Sequence, residues 1–292
     1  METKAINPDL IHIIKAFQRN EITEYHIYNK LARKEKKEDN KKVLEQIAND
    51  EKSHYEYWKQ ITKEDIKPNN LKIAFFVWIA RFLGLTFGIK LMEHGEQKAQ
   101  IKYAAILTEL PDLQNIINDE DIHEQKLIAL IEEERLNYIG SIVLGLNDAL
   151  VELTGALAGL SFGFQNTKVI AFAGLITGIA AGFSMAAAEY LSQSHEGEPH
   201  PLKSAFYTGI AYFITVGLLI IPYLLFSNYL LCLMLTLTMA IIIILFFNYY
   251  ISVAKDLPFK KRFFEMAIIS IGVSAITFGI SVLIKKYFGI EM

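Results

Sequence analysis

The chain has 292 residues, 52% of them hydrophobic, a mean hydropathy of +0.26 and a formal net charge of −3. These values exclude an ordinary soluble protein of the same charge content, and no basic patch interleaved with aromatics points to nucleic acid. The single cysteine, Cys232, excludes a disulfide framework, a zinc ribbon and any Cys-x-x-Cys site.

The charges are not evenly spread. Of 32 acidic and 29 basic residues, eight of each lie in 138–292, which leaves 24 acidic and 21 basic residues in 1–137. A dense, charged first half is followed by a sparse, apolar second half, so two domains are expected, 1–137 and 138–292. The first residues lack the apolar core of a signal peptide, which predicts a cytoplasmic N-terminal domain.

Asn7-Pro8-Asp9 is a helix start, with Asn7 as cap and Pro8 in the first turn. This first helix is expected to reach about Lys36. A second is expected over about Lys41 to Lys63, ending before the loop signal Pro68-Asn69-Asn70. Residues 71–92 are apolar and aromatic, and long enough to suggest a membrane span. Arg81 near the middle, Lys90 near the end, and Gly84 and Gly88 argue instead for a crossover helix, lying on a bilayer surface or packing against a partner subunit. A third helix is expected through Glu93, Glu96 and Tyr103. Pro111 opens a fourth, which runs through His123 to about Leu136.

Five apolar runs follow, at about 139–164, 169–191, 204–226, 229–251 and 263–284. Each is long enough to cross about 30 Å of hydrocarbon at about 1.5 Å per residue. Lys203, Lys255, Lys260, Lys261 and Arg262 fall in loops on the side of the N-terminal domain, which modestly favours that side as the inside.

Two constellations carry chemistry. In the first half the order is Glu21, then Glu51-Lys-Ser-His54, then Glu96, then Glu120-Asp-Ile-His123. Tyr28 and Tyr103 each follow the isolated glutamate by seven residues. Glu and His three apart share one side of a helix, and two such pairs with two single glutamates form the ligand set of a carboxylate-bridged di-iron or di-manganese site. Imidazole favours Fe or Mn over Ca. One Glu-x-x-His pair would be uninformative in so acidic a domain, but the repeated order is not.

Over about Ile13 to Leu136 the chain resembles the rubrerythrin branch of the ferritin-like family. That resemblance implies a four-helix bundle with Glu21, Glu51, His54, Glu96, Glu120 and His123 as metal ligands. Glu24 and Glu93 are further candidates, a solvated helix face being the preferred reading for both. The four cysteines of a rubredoxin module are missing, which weakens a peroxidase reading.

The second constellation lies in the first two apolar runs. Asp148 and Glu152 are four residues apart and share a helix face. A carboxylate at bilayer depth costs about 2.5–3.5 kcal/mol on insertion scales, so it is rarely there without a task. Helix capping is the ordinary alternative for Asp148. Gly155, Gly159 and Gly163, and then Gly174, Gly178 and Gly182, form ridges for close helix approach, and these flanks are expected to carry the acids. Met185 and Glu189 share a flank of the second run. A thioether beside carboxylates suits a borderline divalent metal, against ordinary packing for Met185 and a watery helix end for Glu189.

Asn147-Asp-Ala-Leu-Val-Glu-Leu-Thr-Gly and Ser184-Met-Ala-Ala-Ala-Glu-Tyr resemble signatures of the vacuolar iron transporter family, over about Gly140 to the C-terminus. The resemblance implies a five-span homodimer moving Fe²⁺, and often Mn²⁺, out of the cytoplasm in exchange for protons. It places Asp148, Met185 and Glu189 on the translocation path, and helix geometry adds Glu152. The loop Ser192–Pro201 replaces a long acidic insert, so the first domain would take over metal collection. His195, Glu196, Glu198 and His200 would form an entry funnel there or, the simpler account, a solvated loop.

The expected architecture is all-α: an N-terminal ferritin-like four-helix bundle, then a five-helix transmembrane domain in the cell membrane. The expected function is divalent metal export, with iron in the bundle. A membrane-anchored di-iron oxidase or peroxidase is the alternative, and a metal sensor gating the transporter is a third reading.

Overall fold

The computed structural model describes residues 8–100 and 134–288. The chain divides into two compact units, Met1–Glu133 and Glu134–Met292. Among the described residues every regular element is a helix.

In the first unit, α1 (Pro8–Ala32) and α2 (Glu38–Thr62) pack along their length. Their apolar residues recur at helical spacing: Ile14, Phe17, Ile27, Tyr28 and Leu31 on α1, and Val43, Leu44, Ile47, Tyr55 and Trp58 on α2 are buried. That periodicity builds an apolar stripe on each helix. α1 begins at Pro8 as expected, while the expected cap Asn7 lies outside the described residues. α2 stops at Lys63, a left-handed cap whose N–H donates to the Lys59 carbonyl at 2.8 Å. The loop that follows is held down: Gln18 Nε2 donates to the Glu64 carbonyl at 2.9 Å, and Lys15 pairs with Glu64 at 2.6 Å. Asn69 accepts from the Leu71 and Lys72 N–H groups, both at 3.1 Å, and so starts α3 (Asn70–Leu83).

The expected single crossover helix over 71–92 is instead two helices, α3 and α4 (Leu85–Gln100). Gly84 between them has φ 116° and ψ 149°, which a residue with a Cβ rarely adopts. α4 runs without a break from Leu85 through Glu93 and Glu96, so the helix expected to start near Glu93 begins eight residues earlier. Gly88 lets α4 fold back onto α3, since a Cβ there would lie 2.7 Å from the Ala80 Cβ. The helix expected from Pro111 lies outside the described residues.

The second unit starts at Glu134 rather than at Tyr138, because the short helix α5 (Glu134–Asn137) packs with α6. Among the described residues, five helices are long and apolar enough to cross a membrane: α6 (Ile139–Phe164), α7 (Thr167–His195), α8 (Pro201–Leu225), α9 (Tyr229–Lys255) and α10 (Phe259–Phe288, span to Ile284). The turns between them are short, and Asn166 and Asn228 cap α7 and α9 by accepting from the second and third N–H groups beyond them. α6 is central, in contact with each of the other four spans. Leu150, Leu153 and Leu157 of α6, Ile170 of α7, Tyr212, Leu219 and Tyr223 of α8, and Ile244 of α9 form the core.

The glycine ridges of α6 and α7 do not serve mainly to join those two helices. Gly178 and Gly182 receive Val216 and Phe213 of α8, and Gly174 receives Leu157 and Ile220. Gly155 and Gly159 receive Thr277 and Ser281 of α10. Small residues leave room for whichever neighbour the loops deliver, and the short turn after α7 delivers α8. Hydroxyls add to the α6–α10 seam. Ser274 Oγ donates to Thr154 Oγ1 at 2.8 Å, with Ser270 Oγ 3.4 Å from the same oxygen.

The tightest approach is at Gly145 of α6, where a Cβ would sit 2.2 Å from the Thr208 carbonyl oxygen of α8. A backbone carbonyl cannot rotate away as a side chain can. Gly145→Ala is therefore expected to cost about 1–3 kcal/mol by overpacking, read as a lower melting temperature of the detergent-solubilised protein. Gly217→Ala, with nothing within 4 Å of the added carbon, is the matched control and is expected to leave the melt unchanged or raised.

Candidate metal sites

In the first unit α1 supplies Glu21 and α2 supplies Glu51 and His54. One ligand atom from each lies within 4.8 Å of the other two. The two carboxylates are 5% and 6% exposed. Glu51 and His54 meet because residues three apart stack on one side of a helix, and the α1–α2 packing brings Glu21 across to them. His54 Nδ1 lies 3.7 Å from Glu21 Oε2. Trp58, one turn beyond His54, donates its indole N–H to Glu21 Oε1 at 3.2 Å and stacks on Phe17. Two carboxylates removed from water side by side repel each other unless a cation offsets them. Two oxygen donors and an imidazole nitrogen fit a divalent metal of the iron or manganese type.

Glu24 departs from its expected setting. It is 3% exposed, not on a solvated face, and Lys72 of α3 reaches it at 2.8 Å. An ion pair between α1 and α3 therefore uses its carboxylate. Glu93 and Glu96 lie on α4, and Glu120 and His123 lie outside the described residues.

In the second unit the four expected residues fall into two groups. Glu189 is 6% exposed and accepts a hydrogen bond at 2.7 Å from Ser141 Oγ of α6, so it is not at a watery helix end. The Ser141 carbonyl in turn accepts from Thr208 Oγ1 of α8 at 2.9 Å. This knot sits where Gly145 brings α6 and α8 together. Glu152, midway along α6, is exposed, and its Oε2 accepts from the Tyr212 hydroxyl of α8 at 2.9 Å. Tyr212 itself is fully buried. Asp148 is half-buried one turn before Glu152, in the third turn of α6, past any capping position. Met185 is partly buried against the core one turn before Glu189. His195, Glu196, Glu198 and His200 are exposed, as a solvated loop requires.

Two family models match the chain. The rubrerythrin model matches residues 2–62, which include Glu21, Glu51 and His54. The VIT family model matches residues 139–200, which include Asp148, Glu152, Met185 and Glu189. The chain joins a rubrerythrin-like domain to a VIT-family membrane domain. No curated protein matches the chain. The VIT-family domain points to metal transport through a multi-pass membrane protein, and the rubrerythrin-like domain to iron binding.

The side chains that hold the acids had no marker in the sequence. Ser141, Thr208 and Tyr212 are uncharged polar residues in apolar runs, and Trp58 reads as core until its N–H is seen on Glu21. A hydrogen-bond donor orienting a ligand carboxylate typically changes metal affinity 10–100-fold. Trp58→Phe, which keeps the ring and removes the N–H, is expected to weaken Fe²⁺ binding about 10-fold on that scale, measured by anaerobic titration of the purified chain.

Proposed function

We propose that this protein exports Fe²⁺, with Mn²⁺ as a second cargo, from the cytoplasm across the cell membrane in exchange for protons. The rubrerythrin-like domain collects the metal at a di-iron centre, of which Glu21, Glu51 and His54 are one part and Glu96, Glu120 and His123 the other. Asp148, Glu152, Met185 and Glu189 line the path through the membrane.

The observation that carries this reading is the pairing of a half-buried Asp148 with an exposed Glu152 midway along a membrane span. An ionised carboxylate facing lipid tails is untenable, so this face needs a polar cover. A second copy of the chain supplies one, and the two sets of acids then enclose a hydrophilic passage between protomers. In such a passage a carboxylate releases its proton when a divalent cation arrives and recovers it when the cation leaves, which is the elementary step of antiport. Met185 adds a soft donor for Fe²⁺ that Mg²⁺ would not use.

The buried Glu21–Glu51–His54 group also supports a second reading, oxidation of Fe²⁺ in the bundle as a membrane-anchored oxidase or peroxidase. The two separate cleanly. In proteoliposomes, Asp148→Ala is expected to abolish Fe²⁺ flux while the bundle still titrates with metal. Flux equal to wild type would sink the transport path. Glu51→Ala is expected to reduce metal binding by the bundle. If it also abolishes O₂ or H₂O₂ consumption that Asp148→Ala leaves intact, the enzyme reading stands.

Antiport also predicts a pH signature. Fe²⁺ flux through the wild-type protein is expected to rise as the destination side is made more acidic, and to acidify the opposite lumen in step. A metal flux that leaves a pH-sensitive dye unchanged would exclude proton exchange.

A further inference from the structure

The α3–α4 hairpin presents a face that the metal chemistry does not use. On α3, Leu71, Phe75, Trp78 and Phe82 are 84%, 54%, 57% and 60% exposed. Steps of four, three and four residues set them in one line along the helix. The Trp78 and Phe82 rings lie 4.9 Å apart, so the line is an apolar ridge with a paired aromatic end. The other side of α3, with Ile73, Ile79 and Ala80, is buried.

The segment that carries this ridge has charge of one sign. From Ile66 to Met92 the chain carries Lys67, Lys72, Arg81 and Lys90 and no acidic residue, within a half of the chain that is net negative. Arg81 is exposed beside the ridge, and Lys72 anchors the helix to Glu24 from the flank. The 14 residues of α3 reach about 21 Å at about 1.5 Å per residue, short of the ~30 Å hydrocarbon thickness, so α3 does not cross a bilayer. A second copy packed face to face by a two-fold axis would set Arg81 and its lysine neighbours against the same cations with no acid in the segment to meet them. An anionic leaflet meets them with opposite charge, and the same chain carries five helices long and apolar enough to cross a bilayer.

We propose that α3 is an interfacial anchor, seated in the headgroup–acyl boundary of an anionic phospholipid leaflet. Leu71, Phe75, Trp78 and Phe82 enter the boundary and Arg81 meets lipid phosphates. This rests on the membrane character of the spans and not on which ion they move.

The distribution of tryptophan makes the test direct. The chain has two, Trp58 and Trp78, and the membrane spans have none. Trp58 is 1% exposed against Glu21, and Trp78 is on the ridge. The full chain is reconstituted, metal-free, in liposomes of phosphatidylglycerol and phosphatidylcholine with brominated acyl chains. The expected result is loss of the emission that Trp78 contributes, no such loss in Trp78→Phe, and much weaker loss in Phe75→Ser/Phe82→Ser. Replacing phosphatidylglycerol with brominated phosphatidylcholine is expected to reduce the quenching. Emission from Trp78 that brominated lipid leaves untouched overturns the proposal in either of two ways. If acrylamide quenches it, the ridge faces water. If acrylamide does not, the ridge is covered by protein, and dependence on protein density identifies a second copy. Quenching that is indifferent to phosphatidylglycerol overturns the anionic-leaflet half of the assignment.

Discussion

A carboxylate taken out of water must be given something in return, and much of this structure can be traced to how that need is met. Three of the described acids in the two candidate sites have a particular neighbour: the indole N–H of Trp58 for Glu21, the hydroxyl of Ser141 for Glu189, the phenol of Tyr212 for Glu152. These are neutral donors. They orient an oxygen without cancelling its charge, so the attraction for a cation survives. Glu24 shows the contrast. It lies three residues from Glu21 on the same helix, meets the ammonium of Lys72, and becomes a structural ion pair between α1 and α3. Within one turn of α1, the type of partner separates a carboxylate available to metal from one committed to the fold.

Packing in the membrane unit meets a different need, since lipid offers no hydrophobic gain for bringing helices together. Close approach at glycine and hydroxyl contacts supplies the cohesion instead. The seam between α6 and α8 carries both the backbone approach at Gly145 and the Ser141–Thr208 contact, while the seam between α6 and α10 relies on Thr154, Ser270 and Ser274. Large apolar residues such as Phe172, Phe183, Ile214 and Phe246 are left outward, which only a hydrocarbon solvent tolerates in such number.

Most of the architecture was legible in the sequence because it rests on long-range periodicity and composition. The first span, read as 139–164 from hydropathy, is a helix with those bounds, and the fourth begins at Tyr229 as read. The Glu-x-x-His spacing placed Glu51 and His54 together, since three residues on a helix is a local matter. What stayed hidden depends on tertiary contact. The break at Gly84 needed a φ value, and a glycine in an apolar run does not announce one. Glycine ridges stated that α6 and α7 approach something, not that their partners are α10 and α8. Glu189 was expected on the translocation path, with a watery helix end as the alternative, and Ser141 on another helix holds it inside.

The meeting of α6 and α8 at Gly145 has a mechanical consequence. A carbonyl oxygen lodged where a side chain would be fixes the distance between two rods at one point, and the Tyr212–Glu152 hydrogen bond ties the same two rods again two turns on. On α6, Ser141 lies four residues before that joint, Asp148 three residues after it and Glu152 seven residues after it. Any pivot of α6 against α8 about that point would therefore move Glu152 farther than Ser141 or Asp148, and would break its bond to Tyr212 first.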